Sequence, residues 1–189
     1  MQELFGRIKR SIHTYYVLYA DSTELLDKAQ KMLRPLPDGC KFVKLTYENK
    51  NLYQCAIGDI DKVVQFGEDA WAVVTNNEII AYQMGTYRNK QSLFFNVKNC
   101  DFEHIEIITD KNYRRQGIAL NLIYHMARHL NFNDLNHKKI GTVIEPKNTA
   151  SIKLHELIGF KVSHRIVFFS CRRKKGERWS FINIPRYTI

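Results

Sequence analysis

The sequence predicts a mixed α/β domain. Short apolar runs of strand length occur in adjacent pairs, the apolar period changes to that of a helix after Gly117, and 189 residues suffice for one full core but are short for two. Adjacent strand pairs disfavour a purely parallel, doubly wound sheet. Hydrophobic residues make up 44% and charged residues 25%, ordinary globular values that exclude a collagen-like rod or a disordered tail.

Taken in order, residues 1–13 place Leu4, Phe5, Ile8 and Ile12 on one helical stripe, with Arg7, Lys9 and Arg10 elsewhere. That pattern predicts a short basic amphipathic helix, which either packs on its own domain or makes peripheral contact with an acidic membrane surface. A second helix is predicted from Ser22 or Thr23 to about Leu33, ended by Pro35 and Pro37. Residues 1–40 thus read as a helical extension packed on or beside a domain spanning 41–189. Lys41 to Tyr47 reads as a strand, and 51–66 as one or two short helices. Ala70 to Thr75 and Glu78 to Tyr87 are strands joined at Asn76-Asn77, a natural hairpin turn.

Glu103 to Thr109 is the next strand. Ile118, Leu122, Ile123, Met126 and Leu130 then mark the apolar stripe of a helix. A strand at 139–145 leads into a helix over 148–157, with Asn148 as N-cap, a buried stripe of Ala150, Leu154, Leu157 and Ile158, and Gly159 as an αL C-cap. Two last strands, about 160–171 and 178–184, flank a turn from Arg172 to Glu177.

The charge is +10 overall, and it is uneven: 45–110 carries −5, whereas 111–189 carries +12. Nucleic acid is a common partner of so basic a chain, but no helix-turn-helix, zinc finger or RNP-type strand occurs, and none is expected to bind. The longest aromatic-aliphatic run, Tyr15 to Ala20, is far below the roughly 20 residues a membrane helix needs. With no signal-peptide pattern near Met1, the expected compartment is the cytoplasm. Cys40, Cys55, Cys100 and Cys171 form no C-x-x-C pair and read as reduced thiols. His125 and His129 stand four apart like a metal pair. Met126 takes the place where a zinc-protease motif has Glu, so no metal is expected.

Chemistry concentrates after the 103–109 strand. A short loop feeds R-R-Q-G-I-A, Arg114 to Ala119, into a helix whose free first-turn N–H groups and dipole make an anion site. Gly117 lets the backbone curve tightly, Ala119 is small, and Arg114 and Arg115 add charge. A pyrophosphate fits. Neither G-x-G-x-x-G nor G-x-x-x-x-G-K-[ST] occurs. Downstream, Ser151 and His155 share a helix face four residues apart.

Y-R-R-Q-G-I-A resembles the [QR]-x-x-G-x-[GA] acyl-coenzyme A motif of the GNAT superfamily of N-acetyltransferases, and N-T-A-S-I-K-L-H-E-L-I-G-F resembles that family's later helix and terminal G-F. The likeness covers about 41–184. It implies a GNAT-type fold: a central mixed, mostly antiparallel sheet flanked by helices, with splayed strands at the acyl-coenzyme A site. It further implies that the backbone of Arg114, Arg115, Gln116, Gly117, Ile118 and Ala119 binds the pyrophosphate of acetyl-coenzyme A as co-substrate. The pantetheine arm would pair near Ile107, Ile108 and Thr109, with Asn148 and Ser151 facing it.

Acyl transfer needs a neutral amine, so a base must take a proton. Glu106 is the first candidate. Glu103, three residues earlier and so expected on the other face, is the second. His155 stands where many relatives have Tyr and is the candidate acid for the departing thiolate. The expected activity is transfer of an acetyl group to a primary amine of a small molecule, such as an amino sugar, sugar-nucleotide-linked or otherwise, of the cell envelope. A protein N-terminus or lysine is the alternative acceptor. A silent acyl-coenzyme A-binding or anionic-surface module is the alternative class. Monomer and homodimer are both compatible with the sequence.

Overall fold

The computed structural model describes residues 9–87, 100–132, 138–175, 178–180 and 184–188. Its elements in chain order are β1 (Lys9–Asp21), α1 (Ser22–Gln30), β2 (Lys41–Lys44), α2 (Ile60–Phe66), β3 (Asp69–Thr75), β4 (Glu78–Tyr87), β5 (Phe102–Thr109), α3 (Ile118–Phe132), β6 (Lys139–Ile144), α4 (Thr149–Leu157), β7 (Lys161–Lys175), β8 (Arg178–Ser180) and β9 (Ile184–Thr188). The strands form one sheet in the order β2-β3-β4-β5-β6-β1-β7-β8, with β9 also paired to β7 in the same register as β8. Only the β5–β6 pair described below is parallel; the other named pairs are antiparallel.

The N-terminal segment departs most from expectation. Residues 1–8 lie outside those described, but Lys9 to His13 begin a strand, not the tail of a helix. β1 then runs between β6 and β7, so these residues belong to the sheet and do not lie beside it. The cause is legible in Tyr15, Tyr16, Val17, Leu18 and Tyr19, aromatic and branched residues that suit a pleated surface. Val17 and Leu18 are both buried, one in the core on each face of the sheet, as successive strand residues point to opposite faces. A strand covered on both faces has no alternation to read.

Elsewhere local chemistry decides. The Asp21 carboxylate caps α1 by accepting from the amides of Thr23 (2.9 Å) and Glu24 (3.2 Å). Asn76 and Asn77 take φ of 47° and 62°, the left-handed pair of a tight hairpin. β7 runs on to Lys175 and pairs with β8, so Arg172 to Lys175 are strand where a turn was expected. β9 occupies Ile184–Thr188, where 178–184 was expected to be the last strand.

One core lies between the sheet and helices α1 and α3, built on Leu18, Leu25, Phe102, Ile123, Met126 and Phe160. α2 closes a second core with Val63, Val64, Ile79, Tyr82 and Met84. His125 stacks on Phe42 at 4.4 Å and meets the edge of Trp71, so the histidine pair of α3 is absorbed into an aromatic cluster. Among the described residues, no group of three or more His, Cys, Asp or Glu is placed to hold a metal ion. None of the described helices is long and apolar enough to cross a membrane.

Candidate active site

The site exists because two parallel strands part company. β5 and β6 are paired only through Phe102–Ile140, Glu103–Gly141 and His104–Thr142; beyond His104 they diverge. A cleft of about 390 Å³ opens between them, bordered by β5 from Glu103 to Ile108, by Thr142 to Glu145, and by Asn148, Ser151 and His155 of the α4 side. Tyr15 of β1 completes its wall.

A register shift in β5 arms the cleft. Met84 faces Glu106 and Gly85 faces His104, so Ile105 is an extra residue in the ladder. The bulge resets the strand's alternation, and Glu103 and Glu106 both border the cleft, contrary to the opposite faces their spacing predicts. Glu106 is held by Tyr82 of β4, whose hydroxyl donates to its carboxylate at 3.0 Å. Burial and the adjacent carboxylate push the Tyr82 phenol well above its ordinary range, so it stays a donor. Glu103 is buried, 8% exposed.

α4 presents its polar face to the cleft. Asn148 caps it, accepting from the Ser151 amide at 3.2 Å. Half of the expected stripe packs inward: Ile158 is in the core and Leu154 packs against it, but Leu157 is 60% exposed and Ala150 is also exposed, whereas His155 is buried. The helix is turned so that its Ser151–His155 side meets the sheet. His155 Nδ1 lies 2.8 Å from the Ser151 carbonyl, which can only accept, so Nδ1 carries the hydrogen and Nε2 a lone pair. Burial lowers its pKa to about 4, opposed by that hydrogen bond. The ring is therefore neutral near pH 7 and has no proton at Nε2 to give. Nε2 has no partner. His104 is 2% exposed, and among the described residues neither of its ring nitrogens has a hydrogen-bond partner. Burial, and then His155, lower it to about 3. The two rings are 5.6 Å apart.

At the far end of β5, Thr109 leads to a second cavity of about 310 Å³ lined by Tyr113, Arg114, Arg115, Gly117, Ile118, Ala119 and, from α4, Ala150 and Leu154. Asp110 starts the turn by accepting from the Asn112 amide at 2.8 Å, and Arg114 Nε donates back to the Thr109 carbonyl at 3.1 Å. Arg115 and Gly117 take φ of 64° and 79°, bending the chain so that α3 starts at Ile118 with its first amides at the cavity. Gln116 instead donates to the Asn112 carbonyl at 3.4 Å and lines neither cavity.

Several residues at the cleft or the glycine turn escaped the sequence: Tyr15, His104, Thr142 and Arg34. Arg34 is fixed by Asn121 of α3, whose amide donates to its carbonyl at 2.9 Å, and its side-chain stem lies where a Cβ on Gly117 would make ordinary contact, 3.6 to 3.8 Å. No local signal marks it, since its partner is 87 residues away.

Splayed parallel strands, a bulged strand carrying carboxylates and a glycine turn at a helix start thus lie together along β5. The sequence pattern of the acetyltransferase (GNAT) family matches residues 57–160, and the chain belongs to that family. Among solved structures, it is similar to a tandem GNAT protein from the clavulanic acid biosynthesis pathway (TM-score 0.62, 12% identity, covering 86% of this chain and 54% of that one). It is also similar to a Drosophila protein (TM-score 0.57, 12% identity, 85% and 51%) and to a functionally unknown conserved protein from Staphylococcus epidermidis (TM-score 0.57, 12% identity, 85% and 62%). At such identities the likeness concerns the fold, and the chain spans between about half and three-fifths of those proteins. No curated protein matches it.

Proposed function

We propose that the protein transfers a short acyl group, acetyl being the simplest, from its coenzyme A thioester to a primary amine of a small molecule. The observation that carries this reading is the continuity of one strand: β5 borders the cleft with Glu106 and ends at Thr109, in the cavity under the Arg115–Gly117 turn. Unpartnered, buried Thr109 Oγ1 and the left-handed backbone at Arg115 and Gly117 fit a phosphorylated ligand entering there.

In this mechanism the first amides of α3, with Arg114 and Arg115, hold the pyrophosphate. Backbone groups from Ile107 to Thr109 hold the pantetheine arm, and one N–H there polarises the thioester carbonyl, worth about 3 kcal/mol to the transition state. Glu106, oriented by Tyr82, takes a proton from the acceptor ammonium and passes it to water. The nitrogen then attacks, the carbon–nitrogen bond forms and the carbon–sulfur bond breaks; the nitrogen's second proton ends on the departing sulfur. Glu103 is the reserve base. His155, neutral with a lone pair at Nε2, serves as an acceptor and not as the acid the sequence suggested.

The acidic 45–110 segment supports an ammonium-bearing acceptor, and the basic remainder tolerates a phosphate on it, which favours an amino sugar or its nucleotide-linked form. The test is an amine-library screen following free thiol release from acetyl-coenzyme A, with Glu106→Gln as control. Release with a small amine that falls at least 100-fold in the variant supports the reading. Release only with peptide amines moves the acceptor to protein, and no binding of coenzyme A at all overturns the assignment.

A further inference from the structure

The closed end of the cleft is polar in a way that an acetyl group does not use. His104 and Thr142 form the last pair before the strands diverge, so they mark the floor. His155 reaches the same point from α4, its ring 5.6 Å from that of His104. Both imidazoles are almost fully buried, and three of their four nitrogens have no partner among the described residues. Each unmatched buried polar group costs roughly 1–3 kcal/mol. Such a cost persists where a ligand relieves it.

Resting on the acyl-coenzyme A reading, we propose that the acyl pocket selects a short acyl chain bearing a neutral hydroxyl, which bridges His104 and His155 at the closed end of the cleft. The direction follows from β5. The pyrophosphate end lies beyond Thr109 and the thioester near Ile107, so the acyl tail points towards His104. Three residues of strand span about 10 Å, more than an acetyl methyl reaches, so a longer acyl chain is needed to bring a substituent towards the histidines.

Donor and acceptor counts choose the substituent. His155 Nε2 is a lone pair, because its Nδ1 donates to Ser151. Neutral His104 adds one N–H and one lone pair. A hydroxyl, which gives one hydrogen and accepts through two lone pairs, donates to His155 and accepts from His104. A methyl matches neither. A carboxylate can accept from His104 but not donate to His155, and it shares the cleft with Glu103 and Glu106, which repel it. The transfer step is unchanged, since the hydroxyl lies away from the bonds that form and break.

The test is titration calorimetry of the full chain with free coenzyme A and with acetyl-, butyryl-, 3-hydroxybutyryl- and succinyl-coenzyme A. The hydroxylated thioester is expected to bind at least 10-fold tighter than butyryl-coenzyme A, and succinyl-coenzyme A no tighter than butyryl. In His104→Leu the advantage of the hydroxyl should shrink below 3-fold; if that variant fails to fold, the wild-type ratio alone decides. Butyryl- or acetyl-coenzyme A binding as tightly as the hydroxylated thioester overturns the inference, and an ordered water then satisfies the histidines. Failure of free coenzyme A and every thioester to bind would instead overturn the acyltransferase reading beneath it.

Discussion

Tyr82 and Glu106 lie diagonally across neighbouring strands, and the phenol donates to the carboxylate at 3.0 Å. The contact fixes the direction of the carboxylate proposed above as the base, while leaving it a lone pair free. Gly58 makes the pairing sterically possible, since a Cβ there would run into the Tyr82 ring.

Replacing Tyr82 by Phe keeps the ring's packing and removes only the donor. The expected result is a fall in kcat of about 10-fold, against at least 100-fold for Glu106→Gln, measured by thiol release at saturating thioester. A Tyr82→Phe enzyme as impaired as Glu106→Gln would show that the phenol itself meets substrate.

The Gly117 turn carries a second prediction. A Cβ at Gly117 finds ordinary contact with Arg34, so crowding is not what requires glycine there. Its φ of 79° is. Gly117→Ala should cost about 1–2 kcal/mol of stability and weaken coenzyme A binding, because the amides of α3 lose their aim. Arg34→Ala, which leaves the turn intact, should weaken coenzyme A binding by less than 10-fold and flatten its salt dependence without lowering Tm. Thermal melts with and without coenzyme A separate the two effects.

Buried neutral histidines tie stability to pH. The folded-state values of His104 and His155 lie at about 3 and about 4, below the ordinary 6.5, so the unfolded chain binds protons more readily as pH falls. Their contribution is complete above pH 6.5 and is lost progressively down towards pH 4, at roughly 1 kcal/mol per pH unit for each ring. Denaturant melts between pH 4.5 and 7.5 should show this slope, and His155→Gln should remove about half of it. A flat profile would mean that the rings are protonated or solvated in the fold.

Much of this was legible in the sequence, and the exceptions share a cause. The hairpin at Asn76-Asn77, the Asn148 cap and the turn at Gly117 follow from residues that act on their own backbone. The pair of carboxylates was visible, but their common orientation was not, because the bulge at Ile105 exists only in register with Met84 and Gly85. His104 reads as a strand residue until α4 sets His155 over it. Tyr15 and Arg34 reach the site from segments far away in the chain, and no local period reports such an approach.

The strand that the helical stripe of residues 1–13 disguised makes the sharpest claim about the fold. β1 lies outside the 57–160 stretch that the family pattern matches, yet it alone joins β6 to β7 in the sheet order. Leu18 on that strand is wholly buried in the core shared with α1 and α3. Leu18→Ala should therefore cost about 2–5 kcal/mol, the range for a core leucine, with an unchanged m-value. An appendage packed on the outside would lose under 1 kcal/mol. Because Tyr15 on the same strand walls the cleft, Tyr15→Ala should raise KM for the acceptor more than it lowers Tm, measured by steady-state thiol release beside a thermal melt. A Leu18→Ala protein as stable as the parent would put β1 outside the cooperative unit and detach the cleft's outer wall from the domain.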